Sequence, residues 1–324
     1  VEARPLTVYV VRRLLGAIPL LLLISAISYA MMGLAPGGPT AILSQQARSM
    51  TPAARHAYEV ALGLDKPWYA QYFYWLKELV LHGSLGNSFV DQRPVIARIA
   101  EKLPITIELL TFALVLTLLI AIPIGIRAAV KRDSWFDNLS TGIALIGYGV
   151  PVFWLGILLI DTFAMHLRWL PASGIHSIGN ERDPFDLLRH LVLPAATLAI
   201  VSIAGWLRYQ RASMIDVLDE PYVQTARAKG LPDRVVLYKH ALRNALLPMI
   251  TLLGLQLPGL VGGAYFIEYI FSIPGMGYLG INAIFQRDYP TVMGITMLSA
   301  LMVILGNLLA DVLYAAADPR IRYD

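Results

Sequence analysis

Apolar residues in this chain come in long unbroken runs rather than in the alternating or one-in-three-or-four patterns of water-soluble elements. Runs free of lysine and arginine cover 14–33, 105–126, 139–160, 191–207, 245–267 and 291–310. Each is close to the ~20 residues that a helix rising 1.5 Å per residue needs to cross hydrocarbon. Lipid cannot satisfy free backbone groups, so the pattern predicts six helices. The fourth run is short and is expected to extend into its flanks. Arg12 and Arg13 precede the first run, as in a signal peptide. That run is longer than a signal core and five more follow, so it reads as a retained span.

Polar positions between the runs are uneven. Arg4, Arg12 and Arg13 precede the first run; Arg127, Lys131 and Arg132 follow the second. Arg208, Arg211, Arg227, Lys229, Arg234, Lys239 and Arg243 follow the fourth. With six spans these three regions share one side, and the excess of positive charge makes it cytoplasmic, with both termini there. The other side carries a long mixed-charge segment, 34–104. It includes an aromatic stretch, 68–81, expected at the membrane surface or on the outer ends of the spans. Prolines 19, 123, 151, 194, 248 and 258 lie in or beside spans and read as ordinary membrane-helix prolines, with hinges as the alternative. Clustered glycines read as close helix packing.

Composition agrees. The 324 residues are 57% hydrophobic and 15% charged, well below the ~25% charged of soluble domains, and mean hydropathy is +0.60. Absence of cysteine excludes disulfides, thiolate metal sites and a cysteine nucleophile. No Gly-Lys dipeptide occurs, so there is no phosphate-cradling loop of the G-x-x-x-x-G-K-[ST] type. Neither H-E-x-x-H nor G-x-S-x-G occurs. His166 and His176 share an outer loop and read as solvated rather than metal-binding. Glu108, Asp161, Glu268 and Asp311 lie near span ends, where they are expected to reach water or headgroups. The span centres carry no charge, which speaks against a proton-coupled carrier.

One short segment, 222–230 (YVQTARAKG), stands apart. Asp219-Glu220-Pro221 reads as a helix start, Tyr222 to Lys229 as two turns, and Gly230 as the left-handed residue past the end. Pro232-Asp233 opens a second helix running toward the fifth span. Tyr222, Val223 and Ala226 share a face. Such a helix suits either anionic lipid or, given its small residues, close approach by another protein.

The run TARAKGLPDRVVLYKHALRNALLP (225–248) resembles the cytoplasmic signature loop of ABC-importer membrane subunits, in the dipeptide/oligopeptide (peptide/nickel) branch, B-type subunit. Thr225-Ala226-Arg227 stands where the general signature has Glu-Ala-Ala, and the glycine-to-proline spacing is longer; both departures are typical of the peptide branch. Segments 12–39, 62–76, 83–89 (GSLGNSF) and 271–280 (FSIPGMGYLG) resemble it too, so the likeness spans nearly the whole length.

That resemblance implies an all-α, polytopic protein of six transmembrane helices with the type I ABC importer permease fold and a long outer segment after the first helix. Residues 1–324 form one transmembrane domain: 1–104 first span and outer segment, 105–315 five-span core with coupling loop 208–244, 316–324 cytoplasmic tail. It implies a non-catalytic subunit of a bacterial or archaeal plasma-membrane importer of short peptides. No cofactor is expected on this chain, with ATP and Mg on partner subunits. Expected partners are a second homologous permease, two ATP-binding subunits, an extracytoplasmic binding protein and membrane lipid, with no nucleic acid. Tyr222, Val223, Thr225, Ala226, Arg227, Ala228, Lys229 and Gly230 are expected to couple to the ATPase. Phe271, Ile273, Pro274, Gly275, Met276 and Gly277 are expected in an outer loop facing the binding protein. Alternatives are a same-family permease for nickel, glutathione or an oligosaccharide, a stand-alone secondary transporter, and a membrane enzyme.

Overall fold

The computed structural model describes residues 6–34, 51, 53, 56–57, 60, 65–256 and 264–317. Those residues form helices α1 (Leu6–Leu34), α2 (Trp68–His82), α3 (Val95–Val130), α4 (Trp135–Gly149) and α5 (Val152–Leu159), which runs on as a π-turn through His166. Then come α6 (Pro184–Leu218), α7 (Pro221–Ala228) and α8 (Asp233–Val235), which passes through a π-turn, Val236–Ala241, into α9 (Leu242–Ala245). The chain ends with α10 (Leu247–Gln256), α11 (Tyr265–Ile270), α12 (Met276–Phe285) and α13 (Tyr289–Ala317). Among the described residues β-structure is confined to an isolated bridge between Asn87 and Pro94.

Among the described residues four helices are long and apolar enough to cross a membrane: α1, α3, α6 and α13. They contain four of the six predicted runs, and the short fourth run has grown into the 35-residue α6. The third run is not one straight helix. It is the pair α4 and α5, bent by 99° at Val150-Pro151. Proline lacks an N–H and disfavours a helical residue before it. Here it breaks the rod, whereas Pro19, Pro104, Pro123 and Pro194 sit inside continuous helices. The fifth run contains α10 and the start of α11, and its residues 257–263 lie outside the described residues, as do the glycines and proline predicted there. The outer turn after the first span and the tail beyond Ala317 also lie outside them.

The core is built in levels. Near one end Tyr72, Trp75, Val95, Ile99, Met276 and Met293 pack α2 against α3, α12 and α13. Below them Leu109, Leu191, Ile267, Phe271 and Ile273 join α3, α6 and α11. At the opposite end Ile126, Met214, Val223, Ala226, Val236 and Ala241 gather α3, α6, α7 and the π-turn. The packing of α3 on α6 requires a glycine: a Cβ on Gly125 would come within 2.9 Å of Gln210 Cβ. α1 is peripheral, with Ala17 and Ser25 among its few buried side chains and Val11, Leu15, Leu23 and Met31 more than half exposed.

Buried or half-buried ion pairs brace the ends. Arg211 donates to both oxygens of Asp137 at 2.6 Å, tying α6 to the start of α4. Asp288 accepts Ser88 Oγ, Arg98 Nη1 and Thr291 Oγ1 on one oxygen and Phe89 N–H on the other, at 2.6–2.9 Å. Tyr9 Oη donates to Asp311 at 2.6 Å, with Arg13 beside it, so the start of α1 meets the end of α13.

Candidate functional site

Helix α7 begins where the sequence places it. Glu220 is the N-cap and Pro221 the first helical residue, but no side-chain cap bond forms. Asp219 contributes instead through its main-chain oxygen, which accepts Gln224 Nε2 at 3.1 Å. The helix closes with Gly230 at φ +76° and hydrogen bonds from Gly230 N–H to Arg227 O and from Leu231 N–H to Ala226 O. This left-handed closure is the reason glycine is needed there.

The two faces of α7 differ from the expected picture. Val223 and Ala226 are buried among Ile126, Ala129, Met214, Val236 and Ala241, all residues of this chain. The small apolar face therefore docks the helix onto its own bundle, and the close contact expected of Ala226 with a partner is a contact with α3, α6 and the π-turn. Tyr222 is not on that face; it is 42% exposed and its hydroxyl accepts Asn244 Nδ2 at 2.7 Å, clipping α7 to α9. Thr225, Arg227, Ala228, Lys229 and Gly230 are exposed. What α7 offers outward is a basic, small-residue surface with a firm backing. The predicted second helix is present but divided, with the π-turn 236–241 inserting an extra residue under α7.

The segment expected to form the outer loop, 271–277, is mostly buried within this chain. Phe271, Ile273 and Met276 are at most 1% exposed, Gly275 and Gly277 are buried, and Pro274 is half-buried; Ser272 between them is exposed. Most of this segment packs into the core, with Ser272 at the surface. Its organiser is Glu268, which is fully buried and does not reach water or headgroups as a span-end acid was expected to. Thr106 Oγ1 donates to Glu268 Oε1 at 2.7 Å and accepts Met276 N–H at 2.7 Å. Tyr278 N–H donates to Oε2 at 3.0 Å. Thr106 and the carboxylate together thus satisfy amides at the start of α12, where negative charge is favoured. Glycines make room for it. A Cβ on Gly275 would lie 2.5 Å from both Glu268 Oε2 and Thr106 Oγ1, and one on Gly277 would lie 2.6 Å from Tyr265 Cα. The spacing of Glu268 to Gly275-x-Gly277 was the available signal for this unit; hydropathy alone hides it.

Of the other acids, Glu108 and Asp161 are exposed. His166 is exposed, but His176 is not solvated as expected: it lies three-quarters or more buried with Nδ1 3.7 Å from Asp186.

Two family models match the chain. One, described as the binding-protein-dependent transport system inner membrane component, covers residues 121–323; the other, its N-terminal membrane component, covers 6–110. The chain is 42% identical to the oligopeptide transport system permease protein AppB of Bacillus subtilis, over 97% of this chain and 99% of that one. It is 40% identical to the dipeptide transport system permease protein DppB of Escherichia coli K12, over 97% and 98%. Among solved structures the inward-facing MetNI methionine ABC transporter superposes with a TM-score of 0.55 at 16% identity, covering 69% of this chain and 97% of that chain. That likeness concerns the fold.

Proposed function

We infer the function from the family to which the chain belongs, that of the binding-protein-dependent transport system inner membrane components. The protein is a multi-pass, non-catalytic membrane permease subunit of an ABC importer. Its cargo on this reading is short peptides, carried into the cytoplasm with energy from partner ATPases. The observation that carries the cargo is identity of 40–42% over nearly the entire length with permeases named for oligopeptide and dipeptide transport.

In the proposed mechanism α7 is the lever. Its exposed Thr225, Arg227, Ala228 and Lys229 meet an ATP-binding subunit, while Val223 and Ala226 transmit the push into the bundle. Small side chains outward allow a close seat, and Arg227 and Lys229 orient it by charge. ATP and Mg are held by the partner subunits, a second homologous permease completes the pathway, and a binding protein outside the cytoplasm delivers the peptide. The side carrying α7 and the ends of α1 and α13 is cytoplasmic. Support for that orientation is the concentration of arginine and lysine on that side.

The test is reconstitution of the complete importer in proteoliposomes and measurement of ATP-dependent uptake of labelled di- and tripeptides. Uptake of nickel, glutathione or an oligosaccharide in their place would refute the peptide assignment. Arg227→Glu with Lys229→Glu is expected to leave the permease inserted and folded while separating ATP hydrolysis from uptake. Normal coupling in that variant would refute the role of α7.

A further inference from the structure

Where α6 emerges from its packed section, its two sides diverge. Ala204, Trp206, Leu207 and Gln210 turn into the bundle and are buried. Gly205, Arg208, Tyr209, Arg211 and Ala212 turn the other way and, with Thr141 of α4, line a cavity of about 470 Å³. That volume lies within the range of small-molecule sites.

The two arginines of the cavity are not equivalent. Arg211 commits Nε and Nη2 to Asp137, so the pair is neutral. Arg208 is exposed, and among the described residues no carboxylate pairs with it. The recess therefore holds one uncompensated positive charge, flanked by the hydroxyl-bearing side chains of Thr141 and Tyr209. Gly205 leaves space one turn before the guanidinium, since a Cβ there would meet nothing within 4 Å. A planar guanidinium presents a fork that matches a carboxylate in two parallel hydrogen bonds. A single positive charge matches a singly charged carboxylate; a doubly charged phosphate monoester would call on Arg211 as well, which Asp137 already holds. A snorkelling arginine that serves only lipid needs no recess of this size beside it.

We propose that this cavity is a waypoint in the permease that takes the C-terminal carboxylate of the transported peptide on Arg208. The proposal rests on the peptide reading above. It adds a fixed charge to a pathway whose span centres carry none, on the side of the bundle where α7 lies.

The experiment uses the complete importer in proteoliposomes, with the wild-type chain, Arg208→Gln and Arg208→Lys. Uptake of a dipeptide with a free C-terminus is compared with uptake of its C-terminal amide, in vesicles with and without phosphatidylglycerol. Loss of one charge-assisted contact predicts that Arg208→Gln lowers the acid-to-amide uptake ratio roughly tenfold or more, with Arg208→Lys retaining much of it. Because both peptides pass through the same variant complex, a general folding or assembly defect leaves the ratio unmoved. Wild-type uptake with an acid-to-amide ratio that Arg208→Gln leaves unchanged overturns the site alone. A ratio change seen only in vesicles containing phosphatidylglycerol assigns Arg208 to a lipid headgroup and also overturns it. Wild-type vesicles that import neither peptide overturn the peptide reading and this site with it.

Discussion

Replacing Glu268 by alanine removes the acceptor that holds the start of α12. The hydrogen bonds from Thr106 Oγ1 to Oε1 at 2.7 Å and from Tyr278 N–H to Oε2 at 3.0 Å are lost. Hydrogen bonds to a charged group contribute about 1.5–3 kcal/mol each. The variant also leaves an unfilled space in a fully buried position, which adds to the loss. Against this, alanine no longer has a carboxylate to desolvate, which offsets part of the cost. The net expectation is destabilisation by about 3 kcal/mol. Glu268→Gln keeps one acceptor oxygen, and the Thr106 hydroxyl can turn, so its cost is expected at about 1 kcal/mol. The assay is unfolding of the purified permease in detergent, paired with hydrogen exchange at residues 276–278. Alanine is expected to lower the midpoint and to speed exchange at Tyr278 in particular. A midpoint and exchange rates equal to wild type would refute the idea that the carboxylate organises this loop.

Three other substitutions probe separate parts of the fold. Gly277→Ala places a methyl 2.6 Å from the main chain at Tyr265, a clash no rotamer relieves, and is expected to destabilise by about 1–3 kcal/mol; unchanged unfolding would show that the two segments separate freely. Gly230→Val forces a branched residue to φ +76°, at a backbone cost of at least about 1–2 kcal/mol. It is expected to uncouple ATPase activity from uptake without blocking insertion, and normal uptake in proteoliposomes would count against the closure of α7. A double-mutant cycle on Arg211→Met and Asp137→Leu is expected to return a coupling energy of about 1–3 kcal/mol between α4 and α6; additive effects would mean the bidentate pair contributes nothing net.

Four spans were legible from run length alone because lipid leaves a helix no other way to satisfy its backbone. The same simplicity hides geometry. Hydropathy averages over a window, so 139–160 looks like any other span, and the bend at Pro151 is invisible until the chain is seen to turn. Proline accompanies a break there and none at Pro123 and Pro194, since the residue alone does not say whether neighbours hold the helix together. The helix 221–228 and its glycine stop were legible from local backbone rules. The direction of its small apolar face was not, because a Val/Ala face suits a foreign groove and the chain's own bundle equally well. The burial of segment 271–277 was not legible for a related reason: Pro and Gly signal a turn, and turns are usually at the surface. Here the glycines make room for a buried carboxylate 162 residues along the chain from its threonine partner, a tertiary relation with no local trace.

The bend between α4 and α5 carries its own demand. α4 stops after 15 residues, roughly 22 Å along its axis, and a helix end leaves up to four carbonyls without intrahelical partners. Tyr148, Gly149 and Pro151 at that corner are exposed on the single chain. Naked carbonyls do not tolerate hydrocarbon, so something polar must meet them at that depth: a neighbouring subunit's backbone or side chains, or a column of solvent. Either way, bare fatty acyl chains do not suit this corner.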